Sequence, residues 1–263
     1  MASAYDRIME KVFLDRFESG ATEVPFERDD LEVAAKDLGL ERPKNLGDVV
    51  YTYRYRRPLP LSVQEEAPPG KEWNIRGVGG AKYVFAAEDV FDFEPRTGLR
   101  ERKIPDATPG IIVKYAQTDE QALLAIVRYN RLVDVFTGVI CSSLQSHWRT
   151  SVAGIGQVET DEVYVGLDRL GSHYVIPVQA KGGSDRLSRV QIEQDFALCA
   201  ERFPDLTCRP IGAQFIEGNL VALFELAMDD GRLVIDAEEH YRLVPPEKIS
   251  DADLRSYRAE LEE

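Results

Sequence analysis

The stretch HYVIPVQAKGGSD, residues 173–185, decides how the second half of the chain reads. Tyr174 to Val178 are strand formers interrupted only by Pro177, and they deliver Gln179, Ala180 and Lys181 ahead of Gly182 and Gly183. Side chains two apart in a strand share a face, so Gln179 and Lys181 point together and Ala180 points away. Burying an amide and an ammonium without partners is costly. The pair is therefore expected to line a polar cleft, with the two glycines freeing backbone beside it.

Upstream, GQVETDEVYVGLD reads as a strand and RLGS as a turn to which Asp168 and Gly171 belong. The strand puts Glu159 and Asp161 on one face and Glu162 on the other. Eighteen positions from Asp161 to Gln179 leave room for a strand end, a turn and a neighbouring strand. A hairpin so formed sets Asp161 beside Gln179 and Lys181. Carboxylate and amide oxygens together suit a hard cation such as Mg²⁺, which binds through one or two carboxylates plus water and phosphate. The lysine can lower the pKa of an attacking water or stabilise the charge that develops on phosphorus. Such a cluster suits metal-assisted phosphodiester hydrolysis.

Downstream, the spacing predicts a helix in DRLSRVQIEQDFALCAERF and a strand in CRPIGAQFI. Strands LVALFELAM and GRLVID follow, then a charged helix from Ser250. The segment from Thr118 to Ser151 reads as mostly helical, with Thr118 and Gln121 at capping-box spacing. Leu123, Leu124, Val127, Leu132, Val135 and Phe136 give it a core face, and Gly138 divides it into two helices. Gln145 and His147 fall in that helical stretch as capping or packing residues. Asp195, an acid in an amphipathic helix, reads as solvated.

Asp161, a strand hairpin and Gln179-x-Lys181 resemble the PD-(D/E)XK nuclease superfamily, with glutamine at the usual acid position. The resemblance implies an α/β fold with a mixed sheet and a restriction-endonuclease-like αβββαβ core from about Gly138 to Ile216, within a catalytic domain over residues 118–263. One strand fewer is read before the second helix than that core requires. The resemblance implies Asp161 as metal-binding aspartate, Gln179 as second ligand and Lys181 as catalytic lysine, with Glu159 or Glu162 as auxiliary acid. Gln191 and Gln194 occupy the helix where some members place a DNA-contacting glutamine. Mg²⁺ is the implied cofactor, with Mn²⁺ as substitute.

Residues 1–95 read as short helices followed by a hairpin. Asp29 or Asp30 caps one helix, which ends near Gly39, and Asn45 caps the next. WNIRGVGGAKYVFAAE supplies two strands around a glycine turn. Helix, turn, helix and hairpin resemble a winged-helix domain of α+β type, with residues 96–117 as a linker carrying one or two short strands. Between residues 51 and 82, Arg54, Arg56, Arg57, Lys71, Arg76 and Lys82 face only Glu65, Glu66 and Glu72. Tyr51, Tyr53 and Tyr55 interleave with the arginines. Such a face suits contacts to phosphates and bases, and Tyr53, Arg54, Arg56, Arg57, Arg76 and Lys82 are the candidate DNA-binding residues.

The formal net charge of −14 opposes nucleic-acid binding unless a local basic patch or bound metal offsets it. No apolar run approaches the roughly 20 residues of a membrane span. A charged N-terminus and three scattered cysteines point to a reducing cytoplasm. The expectation is an endonuclease acting on double-stranded DNA, restriction-type and homodimeric, since cutting both strands calls for two sites. The rivals are a DNA-binding protein with an inactive nuclease fold and a winged-helix regulator, and the cleft chemistry leaves RNA open as a substrate.

Overall fold

A computed structural model of the chain describes residues 3–91, 93–115, 120–182, 187–216 and 219–260, with residues 120 and 121 described for backbone only. It divides into two units. The first comprises Met1–Asp92, Arg149–Val158 and Ser188–Gln194. Its elements are α1 (Ala4–Leu14), β1 (Glu23–Glu27), α2 (Arg28–Asp37), α3 (Leu46–Tyr55), α4 (Leu61–Gln64), β2 (Lys71–Gly77) and β3 (Lys82–Asp89). The strands form an antiparallel sheet in the order β1-β3-β2. Ser3 and Asp6 cap α1 reciprocally, and Asn45 Oδ1 accepts from Gly47 N at 3.0 Å to start α3. Phe13, fully buried, gathers Phe17, Trp73 and Phe85 at centroid distances of 4.9, 5.0 and 5.2 Å. This aromatic block joins α1 to the sheet.

The second unit comprises Phe93–Trp148, Glu159–Leu187 and Asp195–Glu263. Its elements begin with β4 (Glu101–Pro105), α5 (Gly110–Tyr115), α6 (Glu120–Tyr129) and α7 (Leu132–Thr137). Then come β5 (Ile140–Val152), β6 (Gly156–Leu167), β7 (His173–Lys181), α8 (Arg189–Arg202), β8 (Thr207–Cys208) and β9 (Ile211–Ile216). β10 (Leu220–Asp229), β11 (Arg232–Val244) and α9 (Asp251–Ala259) finish the chain. The end of β5, the start of β6 and the first part of α8 group with the first unit. The strands make a mixed sheet in the order β4-β11-β10-β9-β7-β6-β5, with β8 also beside β7.

β7 is central, antiparallel to β6 and parallel to β9, and buried from Val175 to Lys181. Helices over both faces explain why it reads as a nearly continuous apolar run. Pro177 has no N–H for a ladder, and it sits where the parallel neighbour changes. β8 pairs Tyr174 and Val175, whereas β9 pairing begins at Val178. Ile176, Val178 and Ala180 share a core with Leu123, Leu124 and Val127 of α6. Val175 and Val163 instead pack with Cys199 of α8. By alternation, Gln179 and Lys181 lie on the α8 face.

Several sequence expectations need correction. Ile140–Val152 is a strand, not a helix: Gly138, left-handed at φ 69°, ends α7, and the serine-rich run after it pairs at the sheet edge beside β6. Serine carries weak helix propensity, so sheet pairing wins. Gln145 and His147 consequently sit exposed on β5, and the helices divide at Arg131 rather than at Gly138. Three strands therefore lie between α7 and α8, one more than the sequence reading supplied. α2 is capped by Glu27, with Asp30 accepting from Glu27 N at 2.7 Å. The segment 96–117 contributes β4, which pairs parallel to β11, and β11 runs on to Val244. Thr118 and Gly183 lie outside the described residues.

Candidate active site

The β6–β7 ladder runs from Leu167↔His173 to Glu162↔Val178. Beyond that pair, side chains hold the strands together. Ala180 N donates to Asp161 Oδ2 at 2.9 Å, so a carboxylate stands where the next ladder acceptor would be. Gln179 Nε2 donates to the backbone oxygen of Glu159 at 3.2 Å and to Asp195 Oδ2 at 3.0 Å. Thr160 Oγ1 donates to the other oxygen, Asp195 Oδ1, at 2.6 Å. The simple two-residue alternation does not carry through to Thr160, which reaches the α8 face although Glu162 faces α6.

Burial makes this cluster electrostatically unusual. Gln179 and Thr160 are 0% exposed, Asp195 1% and Lys181 6%. Burial pushes the Asp195 carboxyl up to about 7, and the nearby Asp161 charge adds to the rise. Hydrogen bonds from Thr160 and Gln179 act in the opposite sense and do not overcome it. A carboxyl titrating near neutrality can give up or take a proton at working pH.

The sequence reading set Asp195 aside as a solvated helix acid. It lies three residues after Ile192 and four before Cys199, both buried, and so falls on the inward stripe of α8. An acid on an apolar stripe was the available signal. Thr160 carried none.

The other candidates divide. Gln179 is hydrogen-bonded to Asp195, Asp161 bonds the Ala180 amide and lies near enough for its charge to act on Asp195, Lys181 shares the Gln179 face, and Glu159 enters through its backbone oxygen. Glu162 does not join them: fully buried on the α6 face, its Oε1 accepts from Ser143 Oγ at 2.6 Å and pairs with Arg128 Nη2 at 2.8 Å.

For a divalent cation, the donor chemistry is two carboxylates and an amide oxygen. Among the described residues, no three His, Cys, Asp or Glu side chains form a ready cage. Mg²⁺ seldom takes an all-protein cage and keeps several waters beside one or two carboxylates. Asp161 and Asp195 are the two carboxylates of this cluster, with Asp161 Oδ2 bonded by Ala180 N and the Asp195 oxygens by Thr160 and Gln179.

The candidate DNA-contacting residues belong to the first unit, where several are already engaged. Tyr53 is 5% exposed and donates to Asp6 Oδ1 at 2.7 Å. Arg57 pairs with Asp6 at 3.0 Å, and Lys82 with Glu27 at 3.2 Å. Lys71 meets Asp89 at 3.6 Å, and Arg76 is paired with Glu88 and, at 2.5 Å, with Glu193. The excess of positive charge counted over residues 51–82 is thus offset by acids from elsewhere in the unit. Arg56 is exposed over the Tyr51 ring at 4.9 Å, and Arg54 lies over Tyr55 at the same distance. Gln191 is buried, as is Gln194, whose Oε1 accepts from Tyr55 OH at 3.0 Å.

No helix among the described residues is long and apolar enough to cross a membrane. No family model, no curated protein and no solved structure matches this chain.

Proposed function

We propose that the chain is a Mg²⁺-dependent endonuclease of the PD-(D/E)XK type that hydrolyses phosphodiester bonds in double-stranded DNA. The observation that carries this reading is the buried Gln179–Asp195 hydrogen bond with the Asp161 charge close by where β6 and β7 part, one carboxyl titrating near neutrality. The order α7, β5, β6, β7, α8, β9, with the two-residue β8 between the last two, supports a restriction-endonuclease-like core, with three strands before the second helix. Asp161 and Asp195 would hold the cation with the Gln179 amide oxygen, and Mn²⁺ would substitute. The ion supplies positive charge against the phosphate under attack. Asp195 takes over the second-acid role that Gln179 cannot fill. Lys181 orients the attacking water or stabilises the developing phosphorane charge.

The helices and three-stranded sheet of the first unit support a winged-helix-like DNA-binding role, with the exposed Arg56 touching phosphate. Cutting both strands calls for two sites and therefore a homodimer. One observation favours a second reading, an inactive nuclease fold that only binds DNA. Both Asp195 oxygens are already satisfied, by Thr160 and Gln179. Calorimetric titration with Mn²⁺ separates the two. The enzyme reading expects saturable binding that Asp161→Ala abolishes, and absence of Mn²⁺ binding leaves the inactive fold.

A further inference from the structure

We propose that β5 is the interface between two copies of this chain, its outer edge pairing antiparallel with the same edge of a second copy about a two-fold axis at Leu144. This gives the homodimer that double-strand cutting calls for a contact surface, yet it rests on the strand itself and not on that activity.

The two edges of the mixed sheet are treated differently. β4, at one end, is five residues long and carries Glu101, Arg102 and Lys103. α9 and the residue after it cover that edge. Tyr257 OH accepts from Lys103 N at 2.9 Å, Asp253 pairs with Lys103 at 3.0 Å and Glu260 with Arg102 at 2.5 Å. Short length, charge and a covering helix are the usual protections of a sheet edge. β5, at the other end, is 13 residues long, and residues 140–148 include no Pro, Lys, Arg, Asp or Glu. Residues 142–147 are all exposed, Leu144 at 51%. Among the described residues, no strand lies beyond β5 in the sheet. Arg128, which reaches Ser146 Oγ at 3.3 Å, is already paired with Glu162.

The main chain shows why a second copy fits. Ile140 O points to β6, where it lies 3.0 Å from the place a Cβ on Gly166 would take. Cys141 N turns the other way and donates to Asp134 Oδ1 at 2.9 Å. Main-chain groups alternate sides along a strand, so those of Ser143 and Gln145 face outward. An antiparallel copy centred on Leu144 sets Ser143 opposite Gln145 of the second copy, and each such pair exchanges two N–H···O bonds. Leu144 then meets its counterpart as a non-hydrogen-bonded pair, the closer arrangement, and covers apolar surface that the single chain exposes. His147, left-handed at φ 49°, ends the regular run, so the pairing covers residues 142–146. No like charges oppose each other across the axis, which matters in a chain of net charge −14. The contact is isologous and closes at two copies, because each has one such edge. A pairing of this length is a small interface, so the dimer is expected to be weak and reversible.

Sedimentation velocity of the full chain, without DNA or divalent cation, tests the proposal. Wild type should pass from monomer to dimer with a midpoint on the order of 100 μM or below. Leu144→Lys sets two ammonium groups face to face and should raise that midpoint about tenfold or more. Its melting temperature as a monomer should be unchanged, because the side chain it replaces is exposed. Leu144→Cys, treated with diamide to take one hydrogen from each thiol, should give a disulfide-linked dimer, since non-hydrogen-bonded partners stand ~4.5 Å apart at Cα. Wild type and Leu170→Cys, whose new thiol would replace a residue 79% exposed in a turn, should stay uncrosslinked under the same treatment. A chain that remains monomeric to about 1 mM, a dimer indifferent to Leu144→Lys, or Leu144→Cys crosslinking no better than Leu170→Cys would each overturn the proposal. No DNA enters the measurement, so a monomeric result leaves the cleavage reading standing, and an inactive chain that dimerises through β5 leaves this one standing.

Discussion

Replacing Asp195 by asparagine should make the protein more stable at pH 8 while removing the nuclease activity proposed for it. Asp195 has an ordinary value of 3.8, and burial lifts it to about 7 in the folded chain. Between those values the folded state binds more protons than the unfolded state. Stability therefore falls as pH rises through the window and levels off above about 7. The gap corresponds to about 4 kcal/mol of penalty on the ionised form at pH 8, against about 1.6 kcal/mol at pH 5. An asparagine stays neutral throughout, keeps an acceptor for Thr160 and disturbs one bond to Gln179, worth about 1 kcal/mol at any pH. The advantage of Asp195→Asn over wild type should widen by about 3 kcal/mol between pH 5 and pH 8. Urea unfolding at pH 5, 6, 7 and 8 measures this as a growing midpoint difference, roughly 1–2 M at a slope near 2 kcal/mol/M. Mg²⁺ should then stabilise wild type at pH 8 and leave the variant unchanged. A difference that stays constant across pH would refute the reasoning, since Asp195 would not carry the raised carboxyl.

Two further outcomes are expected. Gly166→Ala would bring a methyl within 2.5 Å of Val139 Cγ1 and 3.0 Å of Ile140 O, so it should destabilise by about 1–3 kcal/mol, read as a lowered melting temperature. In DNA-binding titrations at several salt concentrations, Arg56→Ala should flatten the salt dependence by about one unit of slope. Lys82→Ala, which removes a cation already paired with Glu27, should change that slope much less.

How much of this was legible in the sequence depended on range. The β6–turn–β7–α8–β9 order followed from apolar runs bounded by Gly and turn residues, and the Asp168 turn closes through bonds to Leu170 N and Ser172 N. β5 escaped because its residues have neither strand alternation nor a helical stripe: as an edge strand it is exposed from Ser142 to His147. Its identity comes from the neighbour it pairs with, which no local window contains. The charge count over residues 51–82 failed for the same reason, since Asp6 and Glu193 arrive from distant segments. Asp161 and Gln179 were legible as strand neighbours. Asp195 was not, because an acid on a helix looks solvated until something covers that helix face.

The central claim is that the groups at positions 161, 181 and 195 work together on a phosphodiester. Supercoiled plasmid incubated with the full chain in Mg²⁺, with EDTA as control, tests it most directly. Wild type should nick or linearise the plasmid, and both Lys181→Ala and Asp195→Asn should cut at least ~100-fold more slowly while remaining folded. Plasmid left intact by wild type, or cut equally well by Asp195→Asn, would contradict it.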